Sequence, residues 1–240
     1  MPVDTPAPAI YLFPVTLGEG DPARVLPAAN IALLRGIRHF VVENLRSARR
    51  FLRAASRDIV IDDLSFTELS EHTPACEVDA MLRPVTELGE PIGVLSEAGC
   101  PAVADPGSDL VAAAQRRGIR VVPLVGPSSI LLSLMASGFN GQCFAFRGYL
   151  PIEAKARSAA FRDMEREISH RRQTQIFIET PYRNNRLIAD LCRELPGDML
   201  LCVASDITGP RESIVTAPVS AWKTRQYDYS KIPTIFLLSR

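Results

Sequence analysis

The chain has few histidines and no paired cysteine motif, and both shortages restrict its chemistry. Its 240 residues include only three histidines, His39, His72 and His170. None of them stands at zinc-ligand spacing from another histidine or a cysteine, so we expect no metal site. The five cysteines are scattered without a Cys-x-x-Cys pair, a pattern typical of free thiols in a reducing compartment. We therefore expect a cytoplasmic protein.

Long apolar runs, a secretion signal and net charge are lacking as well. No apolar stretch approaches the roughly 18 residues of a membrane span, and no basic segment followed by an apolar core opens the chain. We expect no membrane association. The 27 basic and 27 acidic residues cancel, which argues against nucleic-acid binding over the whole surface but allows a local basic patch. No Gly-x-Gly-x-x-Gly follows the first predicted strand, which argues against a nicotinamide dehydrogenase.

Predicted strands and helices alternate along the chain, as they do in α/β proteins with a wound, mostly parallel sheet. Apolar residues make up 47% of the sequence, which is enough for a real core. Beyond about residue 145 several short strands close on one another, which favours a mixed sheet. We therefore predict two α/β domains, with a mostly parallel sheet in residues 1–145 and a mixed sheet in residues 146–240. In the first domain we predict helices over Leu45–Ala55 and Cys76–Leu88 and a short strand over Ile59–Ile61. Near the start of the second domain we expect a hinge at Gly148–Pro151.

Two loops rich in glycine, proline and small residues each follow a predicted strand and open a helix. The first runs from Ser96 to Gly107 and the second from Gly126 to Ser129. Such loops build ligand crevices at the C-terminal edge of an open α/β sheet. Gly99 permits close approach of a ligand to the backbone. Ser128 and Ser129 precede a helix, where free N–H groups can receive a carboxylate or a hydroxyl.

The amino-acid sequence of these loops resembles that of the tetrapyrrole-methylase superfamily of S-adenosylmethionine-dependent methyltransferases. Within it, the chain is most similar to the bacterial branch that methylates ribose 2'-hydroxyls of small-subunit rRNA. The resemblance covers most of the chain and rests on five segments: Ser96–Pro101, Asp105–Gly107, Arg120–Ser128, Gly148–Pro151 and Glu179–Arg183. It implies S-adenosyl-L-methionine as cofactor, held between the two domains, a homodimer, and an rRNA ribose 2'-hydroxyl as methyl acceptor.

The resemblance also implies a set of cofactor contacts at strand ends and in the loops that follow them. Carried over position by position, these residues are Leu17, Leu95, Ser96, Glu97, Ala98, Gly99, Cys100, Val103, Ser128, Ser129, Thr180, Ala204 and Thr234. Cys100 departs from the acidic or hydroxyl residue that the family often has there. A side-chain hydrogen bond to the cofactor is therefore not expected from Cys100.

Methyl transfer requires aligned donor and acceptor and a group that helps the acceptor lose its proton. Two carboxylates are candidates for that catalytic role. Glu97 lies in the middle of the first loop, although it can equally cap its own loop. Glu43 follows a predicted strand where the rRNA-methylating branch has Glu-Asp-Thr-Arg; this chain has Glu43-Asn44-Leu45-Arg46.

Arginine is concentrated between residues 35 and 57, where seven arginines and no lysine occur. Guanidinium groups bind phosphates well, and we expect Arg46, Arg49 and Arg50 to bind the acceptor. A solvated helix face is the ordinary alternative. Farther along, the apolar run Ile130–Met135 is more apolar than a one-sided helix needs, which favours the homodimer.

Three functions remain open on the sequence alone. The first is methyl transfer to rRNA. The second is C-methylation of a tetrapyrrole precursor, a small acidic acceptor that an arginine-lined pocket would also suit. The third is a non-catalytic homologue that binds S-adenosylmethionine or RNA, which measured turnover would separate from the other two.

Overall fold

The computed structural model describes residues 6–240. The chain divides into two compact units, and the division falls after Ser128. Residues 129–145, which we expected in the first domain, therefore lie with the second unit. No helix in the described part of the chain is long and apolar enough to cross a membrane.

The first unit is built on five parallel strands in the order β3-β2-β4-β1-β5, so the predicted parallel sheet is confirmed. The central strands align Ile10 with both Ile92 and Val121. The strands are β1 Ile10–Phe13, β2 His39–Val42, β3 Ser65–Glu68, β4 Ile92–Leu95 and β5 Val121–Pro123.

Helices cover both faces of this sheet because successive strand residues point to opposite sides. Phe40 and Val42 pack in a core with one set of helices, while Val41 packs in a second core with another. The helices are α1 Ala28–Leu34, α2 Leu45–Ala55, α3 Ala75–Ala80 and α4 Gly107–Arg116. Helix α2 has the predicted bounds and contributes to the first core, and α3 and α4 contribute to the second.

Two predicted elements of the first unit are wrong. Ile59–Ile61 reads as a strand but leads into a 3-10 turn at Ile61–Asp63, and the strand is the more polar β3 that follows. A single helix over Cys76–Leu88 is also incorrect. Helix α3 ends early, and a separate π-helical turn occupies Pro84–Leu88, because Pro84 lacks the N–H that would continue the helix.

The second unit has a mixed sheet in the order β6-β7-β10-β8-β9, which confirms the prediction of its type. Only β6 and β7 run parallel; the other neighbours are antiparallel. The strands are β6 Phe144–Tyr149, β7 Thr174–Ile178, β8 Leu200–Ser205, β9 Ser213–Pro218 and β10 Thr234–Ser239. The helices are α5 Ser129–Ser137, α6 Ala154–Arg171, α7 Asn184–Glu194 and α8 Val219–Trp222.

The core of the second unit lies between its sheet and helices α6 and α7. The rings of Phe177 and Phe236 stack there with centroids 5.8 Å apart, and the buried Trp222 donates its indole N–H to the carbonyl of Leu201 at 3.0 Å. Helix α5 contacts β9 and β10, and Thr216 donates its hydroxyl to the carbonyl of Ser137 at 2.9 Å. These contacts explain why α5 belongs to this unit.

Candidate active site

Three loops of the first unit converge at one edge of its sheet. Strands β4, β1 and β5 are adjacent and parallel, so the loops that follow them leave the same edge. They meet at Gly99, and we call these three loops, after β1, β4 and β5, the Gly99 loops. The Gly99 carbonyl accepts a hydrogen bond from the Val15 N–H at 2.9 Å. Gly99 has a φ of +72°, and a Cβ there would lie 3.1 Å from Leu17 Cδ2 and 3.5 Å from the Pro127 carbonyl oxygen. The positive φ favours glycine at this position, and a Cβ there would press on the Leu17 side chain.

Two predicted cofactor residues use their side chains inside these loops. The buried Ser96 hydroxyl donates to the Gly99 carbonyl at 3.2 Å. Cys100 donates its thiol to the Pro127 carbonyl at 3.4 Å and so joins the loops after β4 and β5. Burial raises the pKa of the Cys100 thiol, which keeps it protonated as this contact requires. These two side chains therefore hold the loops in shape.

The loop after β4 holds strained backbone that the sequence did not reveal. Ala102 and Ala104 have φ angles of +65° and +56°, which cost energy for residues with a Cβ. Asp105 offsets this strain, because its Oδ1 accepts hydrogen bonds from Ala102 N at 3.1 Å and Gly107 N at 2.6 Å. Between the two alanines, Val103 is 50% exposed. Asp105 thus holds a predicted apolar cofactor contact at the surface.

The other predicted cofactor residues of the first unit lie on the same edge. Leu95 is buried at the end of β4, and Ala98 is exposed two residues beyond Ser96. Ser128, half-buried, is the last residue of the unit. The structure thus gathers these residues around Gly99, and their contact with a cofactor stays a prediction.

The two candidate catalytic residues are directly linked. Glu43 follows β2, and its Oε2 accepts a hydrogen bond from the backbone N–H of Glu97 at 2.9 Å. Burial, opposed by this hydrogen bond and reinforced by the charges of Asp105 and Glu97, raises the pKa of Glu43 above its usual value. The side chain of Glu97 is left exposed. The structure therefore brings the two carboxylates together but gives them different surroundings.

Helix α2 begins at this junction and presents a row of arginines. Asn44 caps it, with Oδ1 accepting from Arg46 N at 3.0 Å and Ser47 N at 3.1 Å, and Glu68 accepts from Leu45 N at 2.9 Å. Four exposed arginines, none in an ion pair within residues 6–240, line a groove of about 650 Å³; they are Arg46, Arg49, Arg50 and Arg53. This groove is a strongly cationic surface.

A second cavity, of about 330 Å³, lies beside the adjacent face of α2. The loop after β1 forms one wall, from Val15 to Pro22, and the exposed residue Glu97 lies at another. Ser47 and Phe51 of α2 complete it. The cavity is thus lined by parts of the loops after β1 and β4 and by one of the two candidate catalytic residues, Glu97. Within residues 6–240, no three His, Cys, Asp or Glu side chains are grouped so as to hold a metal ion.

The second unit places its own predicted cofactor residues along one edge of its sheet. Thr180 follows β7, Ala204 lies near the end of β8, and Thr234 begins β10, which is antiparallel to both. Ala204 is buried, and β8 is paired with β10 on one side and β9 on the other. Thr234 donates its hydroxyl to the Ile232 carbonyl at 2.9 Å. Ser129 opens helix α5.

A buried carboxylate beside Thr180 was not among the predicted site residues. Glu179 accepts hydrogen bonds from Thr180 N and from Arg183 Nη2, both at 2.6 Å, and the bond to Glu179 raises the pKa of the Arg183 guanidinium. The pair fixes the loop after β7 from within. Its sequence signal was the Glu179–Arg183 segment, which carried the resemblance without indicating which side chains pair.

Comparison with known proteins agrees with this architecture. Residues 15–222 match the family of Tetrapyrrole (Corrin/Porphyrin) Methylases. Among relatives, Ribosomal RNA small subunit methyltransferase I of Vibrio cholerae is 31% identical over 216 residues, 89% of this chain and 70% of that protein. The protein of the same name from Escherichia coli O157:H7 is 33% identical over 157 residues, 64% of this chain and 53% of that protein. The chain thus spans between about half and 70% of these two relatives.

Solved structures share the fold at lower sequence identity. The methyltransferase CobJ superposes with a TM-score of 0.66 at 16% identity, covering 97% of this chain and 94% of that one. Uroporphyrin-III C-methyltransferase from Thermus thermophilus, in complex with S-adenosylhomocysteine, gives a TM-score of 0.57 at 18% identity and covers 97% of both chains. The family match over most of the chain and the Vibrio relative confirm the resemblance seen in the loops. The chain belongs to the tetrapyrrole methylase family.

Proposed function

We propose that the protein is an S-adenosyl-L-methionine-dependent methyltransferase that methylates a ribose 2'-hydroxyl of small-subunit rRNA. The observation that carries the rRNA assignment is the row of four arginines on α2, which form no ion pair with any residue of the described range 6–240. A polyanion with regularly spaced phosphates matches such a row. The names of the relatives support the same acceptor.

The residues of the Gly99 loops suit the cofactor. The loops have small residues where a ligand would approach, and Gly99 has no Cβ to fill the space beside Leu17. Ser96 and Cys100 turn their side chains inward, which leaves the exposed Ala98 and Val103 to face a ligand. Bound S-adenosylmethionine supplies a methyl group on a positively charged sulfur. Ser129, Thr180, Ala204 and Thr234 remain predicted contacts in the second unit.

We assign different roles to the two candidate catalytic residues, Glu97 and Glu43. Glu97 lines the 330 Å³ cavity and is an exposed residue, so we assign it the role of the base that takes the proton from the acceptor hydroxyl. Glu43 does not line that cavity, and its carboxylate already accepts a hydrogen bond from the Glu97 N–H. We assign Glu43 the positioning of Glu97.

We further propose a homodimer formed through the second unit. On α5, Leu131 is 52% exposed and Met135 is 79% exposed. Strand β6 is at the edge of its sheet and exposes Phe144 and Tyr149. Exposed apolar side chains of this size are typical of association surfaces. We place the protein in the cytoplasm, where its five free thiols stay reduced.

The direct test is incubation with S-adenosylmethionine labelled in its methyl group, with small-subunit rRNA and a uroporphyrin-III-type precursor offered in parallel. We expect label in the RNA and none in the tetrapyrrole. Label in the tetrapyrrole alone would establish the C-methyltransferase alternative. No transfer to either, with S-adenosylmethionine bound in calorimetry, would establish a non-catalytic homologue.

A further inference from the structure

The arginine groove and the smaller cavity share one residue, Arg50. Arg46, Arg49 and Arg53 line only the 650 Å³ groove, whereas Ser47 and Phe51 line only the 330 Å³ cavity. These two sets occupy adjacent faces of α2 because residues three and four apart on a helix share a face. Arg50 lies at their border and lines both. Helix α2 therefore separates the two spaces, and Arg50 is their common wall.

The two spaces differ in size and chemistry. The groove is cationic, and Glu68 is its only carboxylate among the lining residues. The cavity combines an apolar wall, formed by Phe51 of α2, with polar residues that include Glu19 and Glu97. Its volume of 330 Å³ is near the lower end of the roughly 300–1,000 Å³ of small-molecule pockets. One nucleotide suits this space, and a segment of double helix does not.

We propose that a single nucleotide of the RNA leaves its stack and enters the 330 Å³ cavity, with its phosphate bound by Arg50. This inference rests on the proposed function. The neighbouring phosphates lie along the groove on Arg46, Arg49 and Arg53. The base packs on the apolar wall, and the ribose faces Glu97. A base must leave its stack wherever an enzyme encloses a single nucleotide of a helical region.

Arg50 has the freedom that this role needs. It is exposed and makes no ion pair in the described part of the chain, so its guanidinium can bind a phosphate bidentately without breaking a contact of its own. By contrast, Arg49 lies 5.5 Å above the Phe66 ring, away from the cavity lining. Loss of Arg50 should therefore misplace the acceptor, whereas loss of Arg53 should mainly weaken RNA binding.

The test compares Arg50→Ala with Arg53→Ala, and with Arg162→Ala as a control at an exposed position of α6 outside both spaces. Single-turnover methyl transfer is measured at saturating rRNA. We expect Arg50→Ala to lower this rate by about 10- to 100-fold, the scale of an acceptor misplaced by about 1 Å. Arg53→Ala should lower the methyl-transfer rate far less than Arg50→Ala does. It should weaken RNA binding about as much as Arg50→Ala weakens it. Calorimetry with S-adenosylmethionine should give the wild-type affinity for all three variants.

A fluorescent readout reports the movement of the nucleotide itself. An RNA carries 2-aminopurine next to the nucleotide that the wild-type protein methylates. We expect its fluorescence to rise on binding to the wild-type protein and to Arg53→Ala, because its neighbour leaves the stack, and to rise much less with Arg50→Ala.

Equal rates and equal fluorescence for Arg50→Ala and Arg53→Ala would overturn the inference, while label in the RNA would leave the proposed function standing. If the wild-type protein transfers no methyl group to RNA, the proposed function fails and this inference fails with it.

Discussion

The carboxylate of Glu43 accepts a hydrogen bond from the backbone N–H of Glu97 at 2.9 Å, across 54 positions of sequence. This contact joins the start of helix α2 to the loop after β4. The arginines that we propose to bind the acceptor follow Glu43 in the sequence, and the loop after β4 contains Glu97. Glu43 therefore couples the two parts of the site, which gives its substitution a definite expected effect.

Replacing Glu43 with glutamine should make the stability difference from wild type depend on pH. The pKa of Glu43 is raised in the folded protein, chiefly by burial, above its usual 4.5. The unfolded chain therefore loses this proton first as pH rises, and the wild type is destabilised as pH passes through the folded pKa. Denaturant unfolding should show Glu43→Gln gaining stability relative to wild type between pH 4 and pH 7. A difference that is constant over this range would contradict the raised pKa.

The hydrogen bond from the Glu97 N–H also allows the positioning role of Glu43 to be tested by measuring kcat. Glutamine keeps an acceptor oxygen for that N–H, and alanine does not. We expect Glu43→Ala to lower kcat several-fold more than Glu43→Gln, because an N–H that loses its partner costs about 1–3 kcal/mol when it is not rehydrated. Equal kcat values for the two variants would remove Glu43 as a positioning residue.

Gly99 and Gly118 form a matched pair for testing the cofactor loops. Both have positive φ, +72° and +66°, but a Cβ at Gly118 meets nothing within 4 Å. Each change to alanine should cost about 1–2 kcal/mol of stability from backbone strain. Only Gly99→Ala should weaken S-adenosylmethionine binding, because its Cβ crowds Leu17 at the loop junction. Calorimetry that finds equal affinities for both variants would place the cofactor elsewhere.

Helix α2 could be predicted from the sequence, whereas strand β3 could not. The Asn44 cap and the apolar positions of α2 are local signals, and the predicted helix has the observed bounds. Strand β3 is an edge strand with three exposed residues in four, so it lacks the apolar run that marks a buried strand. The apolar segment Ile59–Ile61 has that run and is not a strand.

The candidate site was predictable as a set of loops but not as a set of contacts. Gly99 was identified because glycine at a strand-to-helix loop has a local meaning. The Glu43–Glu97 bond depends on β2 and β4 being neighbours, which the order of elements along the chain does not specify. The strained Ala102 and Ala104 depend on the carboxylate of Asp105, and alanine carries no signal of positive φ. The segment Gly148–Pro151, expected as a hinge, partly lies in β6, where Gly148 accompanies a shift of register.

The arginine row predicts a measurable salt dependence. Replacing Arg46, Arg49 and Arg50 together by alanine should weaken RNA binding and flatten the plot of log affinity against log salt by about one unit for every phosphate that the variant no longer neutralises. S-Adenosylmethionine affinity should stay within a few-fold of wild type. The control variant replaces three exposed cations that form no ion pair within residues 6–240, Lys155, Arg162 and Arg186. An unchanged slope in the first triple variant would mean that the row is only a solvated helix face.

The proposed dimer depends on the exposed face of α5. We expect light scattering of the wild type to give twice the mass of one chain at micromolar concentration. Met135→Glu should shift the protein to the mass of one chain, because a carboxylate would be buried in an apolar contact. Leu88 is 63% exposed in the first unit and provides the control, Leu88→Glu. A wild type that scatters as one chain throughout would refute the dimer.

The central claim is methyl transfer to a ribose hydroxyl of rRNA, and analysis of the product nucleosides tests it most directly. Small-subunit rRNA is methylated with S-adenosylmethionine labelled in its methyl group, digested to nucleosides and separated by mass spectrometry. We expect the label in a single 2'-O-methylnucleoside, and we expect Glu97→Gln to lower its yield greatly. Label on a base, or RNA that remains unlabelled while another acceptor is methylated, would contradict the claim.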